Sequence, residues 1–394
     1  MLKNSLTQSW QFLNNTDLIC FSHLRWNFIY QRPQHLLSRF ANYTRVFFVE
    51  EPVFHNDSDK LHIDEPFKNI YIIVPYLKYG YNEKEVIKEQ KKMINNLISV
   101  MEINRFFSWY YTPMALPFTK HLKPSLLVYD CMDELSAFKF APPILKETEK
   151  LLLKKADIVF TGGYSIYEAK KNQHQNIYPF PSSIDKEHFS NARSITKDPI
   201  DQADIPHPRF GFYGVIDERF DIEMISYAAE ARPDWQFVLI GPIVKIDLAT
   251  LPRLDNIHYL GAKSYNELPQ YLSGWDVAII PFALNESTKY ISPTKTPEYL
   301  AAGKPVISAP IKDVVSPYAD NKLVHIAADG KAFVKHGDLI LKKKYSKAWL
   351  TKVDAFLDGN SWDRTWSGMV KHIETKIESN SKISQTKSKE KLYV

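Results

Sequence analysis

This sequence has little cysteine and lacks the common nucleotide-binding signatures. Its 394 residues include two cysteines, Cys20 and Cys131. That excludes a disulfide framework and points to a reducing compartment. The longest apolar runs, such as 275–284, are interrupted or too short to span a bilayer. The opening residues, with Asn4, Gln8, Gln11, Asn14 and Asn15, offer no apolar core for a secretory signal. No G-x-G-x-x-G follows any strand-like segment, which argues against a dinucleotide-dependent dehydrogenase. Gly303-Lys304 is followed by Pro305 rather than Ser or Thr, so it is no P-loop. No His, Cys, Asp or Glu cluster has metal-ligand spacing, and neither a metal nor another cofactor is expected. A net charge of +5 suits anionic ligands or an anionic membrane surface and is weak support for nucleic-acid binding. These features lead us to expect a cytoplasmic chain able to touch the inner face of the cell membrane.

The length predicts two domains, each able to bury a core. In the first half, 17–22, 45–50, 70–74, 107–111, 126–129 and 157–161 read as strands, and 31–40 as a helix. Such alternation predicts a parallel sheet with helices on both faces. Strand candidates 210–214, 236–241, 257–260, 277–281 and 306–308 form a second series. The fold class expected is α/β, with two Rossmann-like domains facing a central cleft. The expected boundaries are 1–190 for an acceptor domain, 191–208 for a polar Pro-containing linker and 209–362 for a donor domain. A helix at 363–378 and a disordered Lys/Ser/Glu-rich tail at 379–394 complete the chain. Residues 83–101 carry Lys84, Lys88, Lys91 and Lys92 on one side and apolar residues on the other. That pattern fits a surface helix packed on its own core better than a membrane-lying one.

The stretch 285–307 is the most informative. It leaves a buried-looking strand, crosses a polar loop and enters a short helix that Gly303 ends before the next strand. Ligands of open α/β sheets bind beyond the carboxyl ends of strands. Free N–H groups at the helix start favour anions. Lys295 adds a cation for a diphosphate, and Glu298 can accept two hydrogen bonds from a sugar diol. A nucleoside diphosphate offers both partners.

At these residues the chain resembles the GT-B glycosyltransferases, especially family 4. Glu298-Tyr-Leu-Ala-Ala-Gly-Lys-Pro-Val-Ile looks like their donor-site helix, and Ser292-Pro-Thr294-Lys295 matches a common variant. The resemblance implies that Glu298 binds the ribose. Most of the family places another glutamate eight positions earlier, where this chain has Tyr290, while Glu286 lies twelve before Glu298. The sugar contact is thus open among Asn285, Glu286 and Tyr290. The resemblance also implies a last helix crossing back onto the first domain, with Ser361-Trp362-Asp363 at its start.

Other segments fit this picture. Gly214 ends a strand where a phosphate can approach backbone, with Arg219 near to pair with it. Gly241 follows the next strand. Leu260, Gly261 and Tyr265 resemble the loop lining the nucleobase. Asp130, Asp133 and Glu134 crowd at a first-domain strand end, where repulsion would raise a pKa, and Asp133 is the candidate base or acceptor-orienting group. His23, Arg25 and Trp26 follow the first strand and suit a sugar or lipid-phosphate acceptor, and with Asp130 they are the expected acceptor-binding residues. This segment resembles bacterial enzymes of cell-surface polysaccharide synthesis, including teichuronic-acid types. The family's Gly-rich loop is missing there, so acceptor contacts do not transfer residue by residue. Thr161-Gly162-Gly163 with Ser165 and Glu168 reads as a capped strand-to-helix turn.

The expected function is transfer of a sugar, UDP-linked, to a saccharide or lipid-linked acceptor, without a metal, with retention favoured over inversion. Asp133, Arg219 and Lys295 are the expected catalytic groups. The rivals are a nucleotide-sugar epimerase of the same fold and a degenerate transferase-like partner subunit.

Overall fold

A computed structural model describes Trp10 and residues 12–343 and 345–390, with side chains described outside 381–390. The first sheet contains β1 (Asp17–Phe21), β2 (Val46–Val49), β3 (Val53–His55), β4 (Lys60–Phe67), β5 (Ile70–Lys78), β6 (Phe106–Tyr110), β7 (Leu127–Cys131), β8 (Ile158–Thr161) and β9 (Ile177–Pro179). Their order is β3-β5-β2-β1-β6-β7-β8-β9, parallel throughout, with β4 added antiparallel to β5. The second sheet contains β10 (Arg209–Tyr213), β11 (Gln236–Ile240), β12 (Ile257–Tyr259), β13 (Val277–Ile280), β14 (Val306–Ser308) and β15 (Val324–Ile326). It is parallel, in the order β12-β11-β10-β13-β14-β15. The inner strands β2, β7, β8, β10 and β13 are buried along their whole length, as parallel strands covered on both faces must be. In the second sheet the chain moves outward from β10 to β12, returns to β13 and runs the other way. The crevice between the β10 and β13 loops is therefore the switch point where a ligand is expected.

The helix Trp362–Glu390 sends Trp362, Trp366, Met369, Val370 and Ile373, spaced along one face, into the first domain's core. Trp366 meets Trp10, Phe40 and Tyr43, with ring centroids 5.3, 5.5 and 5.4 Å away. The backbone stays helical to Glu390, where a disordered tail was expected from 379. Extending an existing helix by Lys-, Glu- and Gln-containing turns avoids the cost of nucleation. Residues 391–394 of that tail lie outside the described residues.

The expected linker is also more ordered than its composition suggested. It holds the short helix Ile200–Ala203, with Ala192 and Ile205 buried in the second core, and follows directly on the helix Lys186–Ser190, whose Phe189 is buried in the same core. Arg209, buried at the start of β10, fastens the segment through Asp198 at 2.8 Å and the Ile205 carbonyl at 2.7 Å. The helix Glu83–Val100 buries Met93, Ile94 and Leu97 in the first domain and keeps its lysines outside.

Candidate donor and acceptor site

At the switch point, β10 ends in Tyr213 and turns at Gly214, whose φ of +141° favours glycine. A Cβ there would lie 2.4 Å from Lys295 Cε and 2.8 Å from its Nζ. The lysine stem thus lies directly on the turn, and glycine is what leaves it room. Gly241, with φ +143°, packs against the same turn, and a Cβ on it would sit 1.9 Å from the Gly214 carbonyl oxygen. Gly261 has φ +70° and open space before it.

Lys295 is the first residue of the helix Lys295–Ala301. Burial and the nearby Arg219 lower its pKa to about 8, while Glu298, Asp217 and Asp133 pull the other way. Its ammonium also lies 5.6 Å from the ring centres of Phe212 and Phe282. Glu298, one turn on, is 6% exposed and accepts a 2.5 Å hydrogen bond from the Tyr213 hydroxyl. Burial raises its pKa to about 7, against the Tyr213 bond and Lys295. A cation short of anions thus stands beside a carboxylate that gains from hydrogen-bond donors. A diphosphate joined to a diol meets both needs.

Arg219 is clamped by Asp217, which accepts from Nε at 2.9 and 3.1 Å and from Nη2 at 2.7 Å. Nη1 makes no hydrogen bond among the described residues. Phe138 of the first domain covers the guanidinium, with its ring centre 5.2 Å away, and Lys245 approaches the same ring at 5.8 Å.

Asp133 faces these cations from the first domain. Burial raises its pKa, while Arg219, Arg32 and Lys295 oppose that shift. The crowding expected at this strand end does not occur. Asp130 is fully buried and held by Arg32 through Nε and Nη2 at 2.8 to 3.2 Å. It is a structural ion pair, and its assignment to the acceptor is corrected accordingly. Glu134 pairs with buried Lys170 at 2.8 Å, and its pKa is lowered. Burial, with only a minor part from Asp130, is what perturbs Asp133.

Other expected residues divide. A cavity of about 700 Å³ runs from Tyr213, Gly214 and Gly241 past Tyr265 to Trp26 and Tyr30 of the first domain. Tyr265 stacks on His188 at 4.4 Å and meets Tyr30 at 4.8 Å, and its buried hydroxyl has no hydrogen-bond partner among the described residues. Leu260 packs on the second core beside this loop. Ser292 lies against Gly163 of the first domain, where an added Cβ would be 2.7 Å from its own. Thr294 precedes the helix without a side-chain cap.

Glu286 is 77% exposed and pairs with Lys289 at 3.7 Å, so its donor-binding assignment is corrected. The turn explains this. The Asn285 carboxamide oxygen accepts from the Ser287 and Thr288 amides at 3.0 and 3.1 Å, which turns residue 286 outward. Tyr290 packs on the first domain's core, bridging the domains. Arg25 is likewise corrected. It pairs with Glu50 at 2.9 Å and donates to the Glu51 carbonyl at 2.6 Å, fixing its own loop. Trp26 is 5% exposed and packs edge-on against Phe48, a structural role at the cavity wall. Burial lowers the pKa of His23 to about 4, with the charge of Lys245 adding slightly to the shift.

The turn at Gly163 also differs from the expected capping box. Gly163 is the cap, and the amide and hydroxyl of Ser165 donate to Asp313 of the second domain, the amide at 3.0 Å. Sequence reasoning missed Tyr213, Asp217, Phe138 and Lys245. Tyr213, next to Gly214 at a strand end, carried the only local signal.

Fold comparison and sequence matches agree with this geometry. The chain has the fold of the GT-B structures it superposes on, and part of its second domain is similar to the group 1 glycosyl transferases. Residues 208–342 match the family model of the glycosyl transferases group 1. A Bacillus subtilis strain 168 protein, TuaH, whose name assigns it to teichuronic acid biosynthesis as a glycosyltransferase, is 27% identical over 261 residues. That match spans 60% of this chain and 65% of TuaH. Sucrose-phosphate synthase from Thermosynechococcus elongatus superposes with a TM-score of 0.69 at 15% identity, covering 92% of this chain and 100% of that one. An E. coli structure described as trehalose-6-phosphate bound with UDP-2-fluoro glucose gives 0.65 at 11% identity, covering 91% and 99%. No helix among the described residues is long and apolar enough to cross a membrane.

Proposed function

We propose that this chain transfers a glycosyl group from a UDP-sugar to a saccharide or lipid-linked acceptor in cell-surface polysaccharide synthesis. The observation that carries this reading is Lys295 lying on the Gly214 turn with Glu298 beside it. The ribose diol donates to Glu298, and the base lies along the 241–265 loops. The diphosphate takes the charge of Lys295 and Nη1 of Arg219. As the glycosidic bond breaks, negative charge grows on the leaving diphosphate, and these fixed cations stabilise it without a metal. Asp133 orients the acceptor hydroxyl from the opposite wall, and the reaction retains anomeric configuration. The family resemblance supports retention, and the anomeric proton coupling of the product tests it. Closed domains exclude water and limit donor hydrolysis.

The test is release of UDP from UDP-glucose and related donors, with and without candidate acceptors, in wild type and Lys295→Met. Acceptor-dependent release that the variant loses supports transfer. Turnover without an acceptor to an epimeric sugar would favour the epimerase. Tyr290 standing in the glutamate position favours a second reading, a non-catalytic partner subunit. Binding of UDP with no turnover of any donor would support that reading.

A further inference from the structure

The loop 285–294 leads from β13 to the helix that carries Lys295, and its last turn alternates between the two domains. Tyr290 packs on the first domain's core, Ile291 is buried in the second, and Ser292 returns to the first. There it meets Gly163, where an added Cβ would stand 2.7 Å from Ser292 Cβ and 2.4 Å from Asp313 Oδ2. The turn at 163–165 is thus wedged between this loop and Asp313. Asp313 lies in the helical turn Lys312–Val314 beyond β14 and is 5% exposed. Its Oδ1 accepts from both the amide and the hydroxyl of Ser165, the amide at 3.0 Å. Oδ2 has no hydrogen-bond partner among the described residues. A buried carboxylate costs free energy unless its bonds are made, and these bonds exist only while the two domains touch.

We infer that Asp313 is a positioning residue for the sugar end of the donor: by holding the 163–165 turn against Ser292, it sets the loop 285–294 in place only when the domains are closed. The inference rests on the glycosyl-transfer reading and deepens it. Strand order gives the direction. The cavity that takes the nucleoside runs past Gly214, Gly241 and Tyr265, over β10, β11 and β12. The diphosphate sits on Lys295 at the switch between β10 and β13. The group at its other end therefore projects over β13 and β14, where the loop 285–294 and Asp313 follow the strands. Lys295 and Glu298 are held within the second domain, by the Gly214 turn and the Tyr213 hydroxyl. The loop 285–294 is held from the first domain as well, through Tyr290 and Ser292. UDP thus finds its diphosphate and ribose partners with the lock open, whereas the sugar needs the lock made. Opening frees the loop and the sugar together, which ties sugar binding to the exclusion of water. Because Oδ1 alone carries both bonds, an acceptor at that place suffices and the charge is dispensable.

The test is hydrogen exchange of the full chain, with UDP titrated by calorimetry, in wild type, Asp313→Ala, Asp313→Asn and Ser165→Ala. The reporters are the amides of Thr288, Lys289 and Ile291, which bond within the loop and touch neither Asp313 nor Ser165. Asp313→Ala removes both bonds of the lock and is expected to speed their exchange about tenfold. Ser165→Ala removes the hydroxyl bond alone, leaves the buried carboxylate its amide donor, and is expected to speed it about threefold. Asp313→Asn keeps an acceptor in the Oδ1 place and is expected to stay within about twofold of wild type. UDP affinity is expected to change by no more than about threefold in any of them. Reporters unchanged in Asp313→Ala and Ser165→Ala, with faster exchange confined to 163–170 and 312–316, would overturn the inference. So would Asp313→Asn as fast as Asp313→Ala, or UDP affinity lost with the lock. Exchange reads the lock without any donor, which keeps the two readings apart. Wild type that binds no UDP defeats the donor site, and UDP bound with the reporters unmoved defeats the lock alone.

Discussion

Glu298→Gln should make the ligand-free protein more stable at alkaline pH while weakening its hold on UDP. Glu298 is buried, and its pKa moves from 4.5 to about 7. A carboxyl that holds its proton more tightly folded than unfolded favours the folded state at low pH. That advantage is fully present below pH 4.5 and is lost as pH rises through about 7. At 1.36 kcal/mol per unit, the ionised folded form stands about 3 kcal/mol worse off above pH 8. Glutamine keeps the acceptor for the Tyr213 hydroxyl and carries no charge. Urea unfolding at pH 4.5 should therefore show wild type and variant nearly equal. At pH 8.5 the variant should be more stable by about 2–3 kcal/mol. UDP should bind the variant about 10- to 100-fold more weakly, because charge-assisted bonds to the diol are lost. A stability difference that does not change with pH would refute the reasoning, and so would a variant less stable at pH 8.5.

Lys295 titrates near pH 8 when free, and a bound diphosphate should restore its ordinary pKa. UDP binding should therefore take up a proton at pH 9 and release one from Glu298 near pH 6, seen by calorimetry in buffers of different ionisation enthalpy. Lys295→Met should lower turnover about 10²–10³-fold, as loss of one fixed charge at a developing anion does in other enzymes. Arg32→Ala leaves Asp130 buried without its partner and should cost about 3–5 kcal/mol in denaturant unfolding. Gly163→Ala would place a methyl 2.4 Å from Asp313 Oδ2 and 2.7 Å from Ser292 Cβ. It should push the domains apart and raise the radius of gyration in small-angle scattering.

The strands near the site were legible because buried parallel strands are short apolar runs bounded by glycine or polar turns. β10 and β13 read this way, and so did the turn at Gly214 and the helix at Lys295. β4 was not legible, because nearly all of its residues are exposed and an exposed hairpin strand carries little apolar alternation. β9 and β15 are three-residue edge strands with little pattern to detect. At the site, local chemistry identified Lys295 and Glu298, but not their partners. Asp130 reads as a free carboxylate until Arg32, 98 residues away, reaches it. Glu286 reads as a ligand contact until the Asn285 turn shows which way it faces. Tyr213, Phe138 and Lys245 matter through contacts the fold creates, and spacing along the chain cannot show those.

The most direct test of the donor site is titration of the full chain with UDP at pH 7, repeated with Glu298→Ala and Lys295→Met. The expected result is saturable UDP binding that weakens in both variants. Binding that is absent, or is unchanged by both substitutions, would contradict the placement of the donor on the Gly214 turn.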